Sequence, residues 1–366
     1  MRKQNIKKNT RRIDKTLFIT IVVLVITGLI AVADASAPIA TRDFGDQLYF
    51  VKQQAVSAFL GLGVLFLFSR INYKFWSKIA VPFFFFNLVL LTVVLIPGIG
   101  TKVYGARRWF ILGGASFQPS EFAKLALAIY FAKLAEKSKN VSSYFVPLGL
   151  IALLVMLQPD LGTTLIIISI GMSQVFVSGA SLVHFFAASA LAAFLSLILI
   201  LFSDYRRDRL LTFFQQTNDP LGKAYHIKQV LFALGSGGLW GVGLGQSRQK
   251  YLYLPETATD SIFAVIAEEV GFVGSIVLVG AFIFFVFRAL RISKYAPDTF
   301  SRVLSVGITA WLGGQIMLNI GSMVALVPLT GIPLPFFSYG GSSLIMILAA
   351  CGILLNISKY SYNKEE

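Results

Sequence analysis

Ionisable side chains placed in or beside apolar runs are costly, so each is a candidate for function. Asp260 stands out. It follows Leu254-Pro-Glu-Thr-Ala-Thr259 and opens the run Ser261-Ile-Phe-Ala-Val-Ile-Ala-Glu-Glu269. Thr259 or Asp260 suits the N-cap of the helix that such a run predicts. A carboxylate kept ionised by a helix N-terminus, with apolar Ile262 and Phe263 pushing its pKa the other way, can also take a proton from a substrate hydroxyl or hold a divalent cation. Glu268 and Glu269 follow in the same run. At about 100° per residue, Glu268 falls about 80° around from Asp260 and about 12 Å deeper, with Glu269 on the opposite side. Glu268 can thus floor a cavity beneath Asp260, while Glu269 is expected to face another helix or the cytoplasmic side. The plain alternative is a buried, hydrogen-bonded pair locking helices together.

A second constellation is Phe117-Gln-Pro-Ser-Glu-Phe-Ala-Lys124. Pro119 suits a first helical turn, and Glu121 and Lys124, three apart, share a face. Either they pair with each other, or Lys124 enters a cavity and meets a phosphate. In Gln158-Pro-Asp-Leu-Gly-Thr-Thr164, Asp160 suits the cap of the next helix. The segment from Pro328 to Ser343 contains Pro328, Pro333 and Pro335. Those prolines argue against a continuous helix, and irregular backbone at membrane depth must be buried in protein or line a cavity. The glycine-rich stretch Gly235–Gly245 lacks the strand–turn–helix context of a nucleotide site. It reads as turns where backbone passes close to another element.

The elements that must position these groups are membrane spans. Of 366 residues, 13% are charged and 56% hydrophobic, against about 25% charged in soluble domains. This excludes a disordered chain and argues against a soluble enzyme. Long continuous apolar runs also exclude an outer-membrane barrel. Cys351 is the single cysteine and His184 and His226 the two histidines, so neither a disulfide framework nor a cysteine or histidine zinc motif is available. A net charge of +15, mostly between the apolar runs, points to anionic lipid headgroups and not to nucleic acid.

Apolar runs near 17–34, 53–69, 75–97, 119–135, 144–158, 161–179, 182–203, 259–289, 303–327 and 340–357 predict an all-α polytopic membrane protein of about ten helices. Residues 1–16 form a basic tail read as cytoplasmic, 17–358 the transmembrane domain with a large extracytoplasmic loop at 204–258, and 359–366 a second cytoplasmic tail. The positive-inside rule puts both termini in the cytoplasm. Two outer segments nonetheless carry cations: Lys102, Arg107 and Arg108 in 98–118, and Arg206, Arg207, Arg209, Lys223, Lys228, Arg248 and Lys250 in 204–258. They fit either an anionic ligand or headgroup anchoring by snorkelling side chains. Residues 223–234 suit a short amphipathic helix at the interface.

At these motifs the chain resembles the shape, elongation, division and sporulation family, the RodA/FtsW proteins. The matching residues are Gly105-Ala-Arg-Arg-Trp109, Phe117 to Lys124, Gln158-Pro-Asp-Leu-Gly-Thr163, Asp219-Pro-Leu-Gly222, Gly243-Leu-Gly-Gln-Ser-Arg-Gln-Lys250, Leu254-Pro-Glu256, Thr259-Asp260, Phe263-Ala-Val-Ile-Ala-Glu-Glu269 and Pro333 to Ser343. They stand in family order over nearly the whole chain. The resemblance implies an inverting peptidoglycan glycosyltransferase that polymerises lipid II at the outer face of the cytoplasmic membrane, with a class B penicillin-binding protein and the division or elongation machinery as partners. It implies Asp260 as the catalytic residue and Trp109 and Lys124 as functional. Arg107, Arg108, Trp109, Lys124, Arg248, Lys250, Glu256 and Ser338 are the substrate-binding candidates. Glu121, Asp160, Glu268 and Glu269 are candidates for shaping the cavity, and a magnesium or manganese ion at Asp260 is a further option. The family often has His where this chain has Ala258, and Gln where it has His226. The GARRW and AVIAEEVGFVG segments favour the division type, with an elongation polymerase or a lipid II flippase as alternatives.

Overall fold

The computed structural model describes residues 13–103, 105–112, 115–137, 142–179, 183, 186–187, 190, 225–251 and 253–361. Most of the expected span at 182–203, Arg206, Arg207, Arg209, Lys223, Asp219-Pro-Leu-Gly222, His184 and the chain ends 1–12 and 362–366 lie outside the described residues. Ten helices are described: α1 (Lys15–Phe44), α2 (Tyr49–Arg70), α3 (Lys74–Val93), α4 (Pro119–Lys137), α5 (Ser142–Leu157), α6 (Leu161–Val177), α7 (Tyr225–Gly237), α8 (Ile262–Lys294), α9 (Thr299–Met323) and α10 (Gly341–Ser358). Six are long and apolar enough to cross a membrane, with α5 and α6 shorter apolar helices. Helix α7 is the expected amphipathic segment.

The segment 98–118, expected as a loop of an all-α chain, folds instead as a small antiparallel sheet. Its strands β1 (Thr101–Val103), β2 (Ala106–Leu112) and β3 (Ala115–Phe117) lie in the order β1-β2-β3. Gly105, at φ 83°, makes the turn into β2, a left-handed conformation that glycine adopts without steric cost. Strands this short leave little alternation to read in the sequence.

Helix α10 is buried almost all round, and α4 and α9 over much of their lengths. Helices α1, α2, α3 and α8 expose apolar side chains such as Ile30, Phe59, Phe85 and Val277, the surface a bilayer would cover. Helix α1 runs past the expected end at Asp34, through Pro38, until Gly45 caps it in the left-handed conformation with its N–H on Thr41 O. Small residues over Ala35–Ala37 give no hydropathy signal there.

Helix α8 is interrupted at Gly271 (φ 69°, ψ −170°). Residues 262–270 are enclosed by protein, whereas the stretch after the break exposes Phe272, Val277, Ile283 and Phe287. The lipid-facing span is therefore about 23 residues from Phe272, or about 34 Å, enough to cross a bilayer core of about 30 Å. Helices α1 and α8 are tied at two levels. Arg288 Nη2 donates to Asp14 Oδ2 at 2.6 Å. Lys250 Nζ joins Asp34 Oδ1 at 2.6 Å to Glu269 Oε1 at 2.8 Å. Asp14 and Asp34 are about 30 Å apart along α1, and Arg288 and Glu269 about 28 Å apart along α8. The two ties are thus separated by the thickness of a bilayer core, ~30 Å.

Candidate functional site

Asp260 sits in a segment stitched down on every side. Ala258 O accepts Tyr339 N at 2.8 Å and Thr259 O accepts Ser338 Oγ at 2.6 Å. Asn319 Nδ2 donates to Asp260 O and to Ile332 O, both at 2.8 Å. His226 Nε2 lies 2.7 Å from Ser261 Oγ. The N-cap of α8 is Ser261, with no side-chain cap bond, and not Thr259 or Asp260 as expected. The chain is still turning at 256–261, where Thr259 N and Ser261 N both bond Glu256 O. Asp260 is thus fixed through its backbone while its half-buried carboxylate lies on the surface of the turn.

The proline-rich segment after α9 supplies the opposing wall. It is irregular and largely buried, as its prolines predicted. Phe336 takes a left-handed φ of 69°. Its ring packs edge-on against Phe285 at 5.4 Å, and its carbonyl lies where a Cβ on Gly28 would come within 2.1 Å. Gly331 faces Asp260, its Cβ position 3.3 Å from Asp260 Oδ2. Gly162 at the start of α6 abuts the same segment, with Thr330 O 2.8 Å from its Cβ position. Asp160 caps α6, accepting from Thr163 N at 3.0 Å and Thr163 Oγ1 at 2.9 Å. The turns carrying Asp160 and Asp260 therefore meet through residues 330–332.

The cations divide into engaged and available groups. Arg108 Nε donates to Gln158 O at 2.7 Å and its Nη2 to Pro159 O at 2.5 Å, so this guanidinium holds the turn before α6. The β1–β2 pairing runs Thr101↔Trp109 then Lys102↔Arg107, so Arg108 is the extra residue of a bulge that interrupts the regular alternation of β2. Lys124 Nζ is buried against Glu121 Oε1 at 2.7 Å and lies 5.0 Å from the Trp311 ring centroid. The self-paired arrangement is the one present. Lys250 is buried between Asp34 and Glu269. Burial alone would push its ammonium pKa down; hydrogen bonds and charge from the two carboxylates outweigh that and hold it above the ordinary lysine value. Ser338 donates to Thr259 O and accepts from Leu334 N, and Glu256 Oε2 accepts from Thr259 Oγ1 at 2.7 Å. Arg107 and Arg248 make no side-chain hydrogen bond or ion pair among the described residues, and Arg248 is exposed.

Glu268 and Glu269 hold the glycine-rich loop. Glu268 accepts from Ser247 Oγ at 2.5 Å, Ser236 Oγ at 3.2 Å and the backbone N–H groups of Arg248 and Gln249. Glu269 accepts from Ser247 N at 3.1 Å as well as from Lys250. The backbone close approach expected of Gly235–Gly245 is realised here, since a Cβ on Gly241 would lie 2.0 Å from Glu269 O. Glu269 was expected to face another helix or the cytoplasmic side, and Glu268 to lie well below Asp260. Glu269 does face another helix, meeting Asp34 of α1 through Lys250, and the helix is unbroken from Ile262 to Glu269, the break at Gly271 coming just after them.

Sequence reasoning missed Asn319, Asp34 and the His226–Ser261 contact. Asn319 and Asp34 carried a signal, being polar within apolar helices; a histidine nearly forty positions upstream of α8 carried none. Among the described residues, no three His, Cys, Asp or Glu side chains converge as metal ligands. A divalent ion at Asp260 would therefore take its other ligands from water and substrate oxygens.

Comparison with known proteins identifies the family. A family model described as "Cell cycle protein", covering FtsW, RodA and SpoVE, matches residues 14–363. The chain belongs to this family. Stage V sporulation protein E of Bacillus subtilis is 43% identical over 361 residues, 95% of this chain and 97% of the relative. Probable peptidoglycan glycosyltransferase FtsW of Trichlorobacter lovleyi is 40% identical over 353 residues, 94% of this chain and 93% of the relative. Among solved structures, a chain described under "Structural coordination of polymerization and crosslinking by a peptidoglycan synthase complex" matches with TM-score 0.79 at 29% identity, over 94% of this chain and 97% of that one. The crystal structure of Thermus thermophilus rod shape determining protein RodA matches with TM-score 0.71 at 29% identity, over 96% of this chain and 98% of that one. The fold is thus the RodA-like polytopic helical fold.

Proposed function

We propose that this chain is a peptidoglycan glycosyltransferase that polymerises lipid II, with Asp260 as general base. The observation that carries the reading is the half-buried Asp260 carboxylate on a turn immobilised by Asn319, Ser338, Tyr339 and the Glu256 carbonyl. A base held this way pays no reorganisation when charge develops. The acceptor sugar hydroxyl gives its proton to Asp260 as its oxygen bonds to the donor's anomeric carbon. The bond from that carbon to the diphosphate breaks, and the lipid diphosphate leaves. One displacement inverts the α donor linkage to a β product, so a single carboxylate suffices, unlike the paired carboxylates of glycoside hydrolases. Arg107 and Arg248, whose side chains have no partner among the described residues, are the cations we assign to the diphosphate, with Trp109 near Arg107 on β2.

The Asp260 end of the bundle is then extracytoplasmic, and the tails 1–16 and 359–366 cytoplasmic. A flippase reading draws on the intramembrane acids, but Glu268 and Glu269 are committed to the 236–250 loop. Relatives named FtsW are 37–40% identical and the solved RodA 29%, which favours septal synthesis over elongation. The sporulation relative at 43% supports a second reading, the same chemistry used in sporulation. The crosslinking activity in the solved synthase complex supports a class B penicillin-binding protein as partner.

Asp260→Asn tests the base. Asn is about as good a turn and cap residue as Asp, so the variant should fold normally. Loss of general base catalysis costs about 10²–10⁴-fold in rate, read as glycan chains formed from purified lipid II at matched protein. A rate within a few-fold of the parent removes Asp260 from the chemistry.

A further inference from the structure

At the end of the bundle opposite Asp260 lies a cavity of about 440 Å³, where the N-terminus of α1 meets the C-termini of α8 and α10. Lys15, Arg288 and Arg291 line it, and the one acid among the described lining residues is Asp14. That acid is already neutralised by Arg288 at 2.6 Å. Among the described residues Arg288 makes this single bond, and its Nε is buried with no hydrogen-bond partner. Lys15 and Arg291 are in no ion pair among the described residues. The described lining therefore carries a net positive charge with guanidinium donors to spare.

The surface just beneath it is apolar. Ile19 lies one turn along α1 from Lys15, and Phe287 one turn before Arg291 on α8; residues four apart share a helix face. Ile19 is 59% exposed and Phe287 61% exposed. Each helix face thus carries a cation at the rim and a bare hydrocarbon side chain about 6 Å deeper. That order matches an amphiphile with a phosphate above acyl chains. A free phosphate would use the cations and gain nothing from Ile19 and Phe287.

We propose that this cavity binds the phosphate of an anionic phospholipid headgroup, through Lys15, Arg288 and Arg291, with its acyl chains over Ile19 and Phe287. The site is separate from the glycosyl-transfer site and lies at the other face of the membrane.

The test uses the full chain in a non-ionic detergent, titrated with dioctanoyl phosphatidylglycerol, dioctanoyl phosphatidylcholine or glycerol phosphate, with binding read from the rise in thermal midpoint. Phosphatidylglycerol should bind at least tenfold more tightly than either of the others. Lys15→Gln with Arg291→Gln should weaken it about 30-fold, at about fivefold per cation. Arg291→Lys should retain binding, as should Lys78→Gln, which removes a cation at the same end outside the cavity. If the double variant does not fold, Arg291→Gln alone carries the test at fivefold. Unchanged affinity in the folded charge-removal variant overturns the site. Phosphatidylcholine binding as tightly as phosphatidylglycerol overturns the charge recognition, and glycerol phosphate doing so overturns the lipid.

Discussion

Lys250 and Arg248 stand two residues apart in one loop, and the structure gives them opposite consequences when removed. Lys250 Nζ lies within 2.8 Å of two carboxylates, and its side chain is 3% exposed. In Lys250→Met, Asp34 and Glu269 lose the cation between them while remaining mostly enclosed. Breaking a buried pair by removing one partner costs about 3–5 kcal/mol. At about 2 °C per kcal/mol for a chain of this size, the thermal midpoint should fall about 6–10 °C. Adding Glu269→Gln removes the carboxylate repulsion and should recover part of that loss. Arg248→Gln removes an exposed side chain without a partner among the described residues and should change stability by no more than about 0.5 kcal/mol. Its effect should appear as weaker use of lipid II. Both variants would be followed by thermal unfolding in detergent and by lipid II polymerisation at equal amounts of folded protein. The reasoning would be refuted if Lys250→Met kept the parent's thermal midpoint within about 1 °C and lost activity, because Lys250 would then be contacting substrate and not bracing α1 against α8.

The same tie carries a pH signature. Lys250 has a raised folded-state pKa, so its contribution is fully present below the unfolded lysine value of about 10.4 and is lost as pH rises through the folded value. The gap in thermal midpoint between the parent and Lys250→Met should hold from neutral pH to about pH 10 and close above it; a gap that closes near neutrality contradicts the assignment. Gly271→Ala should cost at least about 3 kcal/mol, because its φ and ψ belong to a region essentially reserved for glycine and the new Cβ would lie 2.2 Å from Gly241 N; normal yield and unfolding of this variant would show that the break in α8 is not required. Orientation is tested with Cys351→Ser carrying either Leu244→Cys or Lys74→Cys. An impermeant thiol reagent on intact spheroplasts should label position 244 and spare position 74, and the reverse pattern inverts the topology.

Composition and apolar run length were enough for the membrane class, because a bilayer imposes a length and a polarity that show residue by residue. Capping by Asp160, the helix start at Pro119 and the irregular proline segment were legible for a similar reason: each depends on a local backbone preference. The charged residues were legible as costly, but their partners were not. Whether Lys124 meets Glu121 or a phosphate, and whether Lys250 meets a ligand or Asp34 more than two hundred positions away, depends on which helices lie side by side. The partners of Glu268 and Glu269 also escaped the sequence. Counting residues from Asp260 gives a rise along the helix and says nothing of the loop 236–250 that folds back onto both glutamates. The sequence therefore determined which residues needed a partner, since a charge beside hydrocarbon is expensive anywhere in the chain. Tertiary packing decided which charges, like Lys124 and Lys250, were paired inside the protein and which, like Arg107 and Arg248, have no side-chain partner among the described residues.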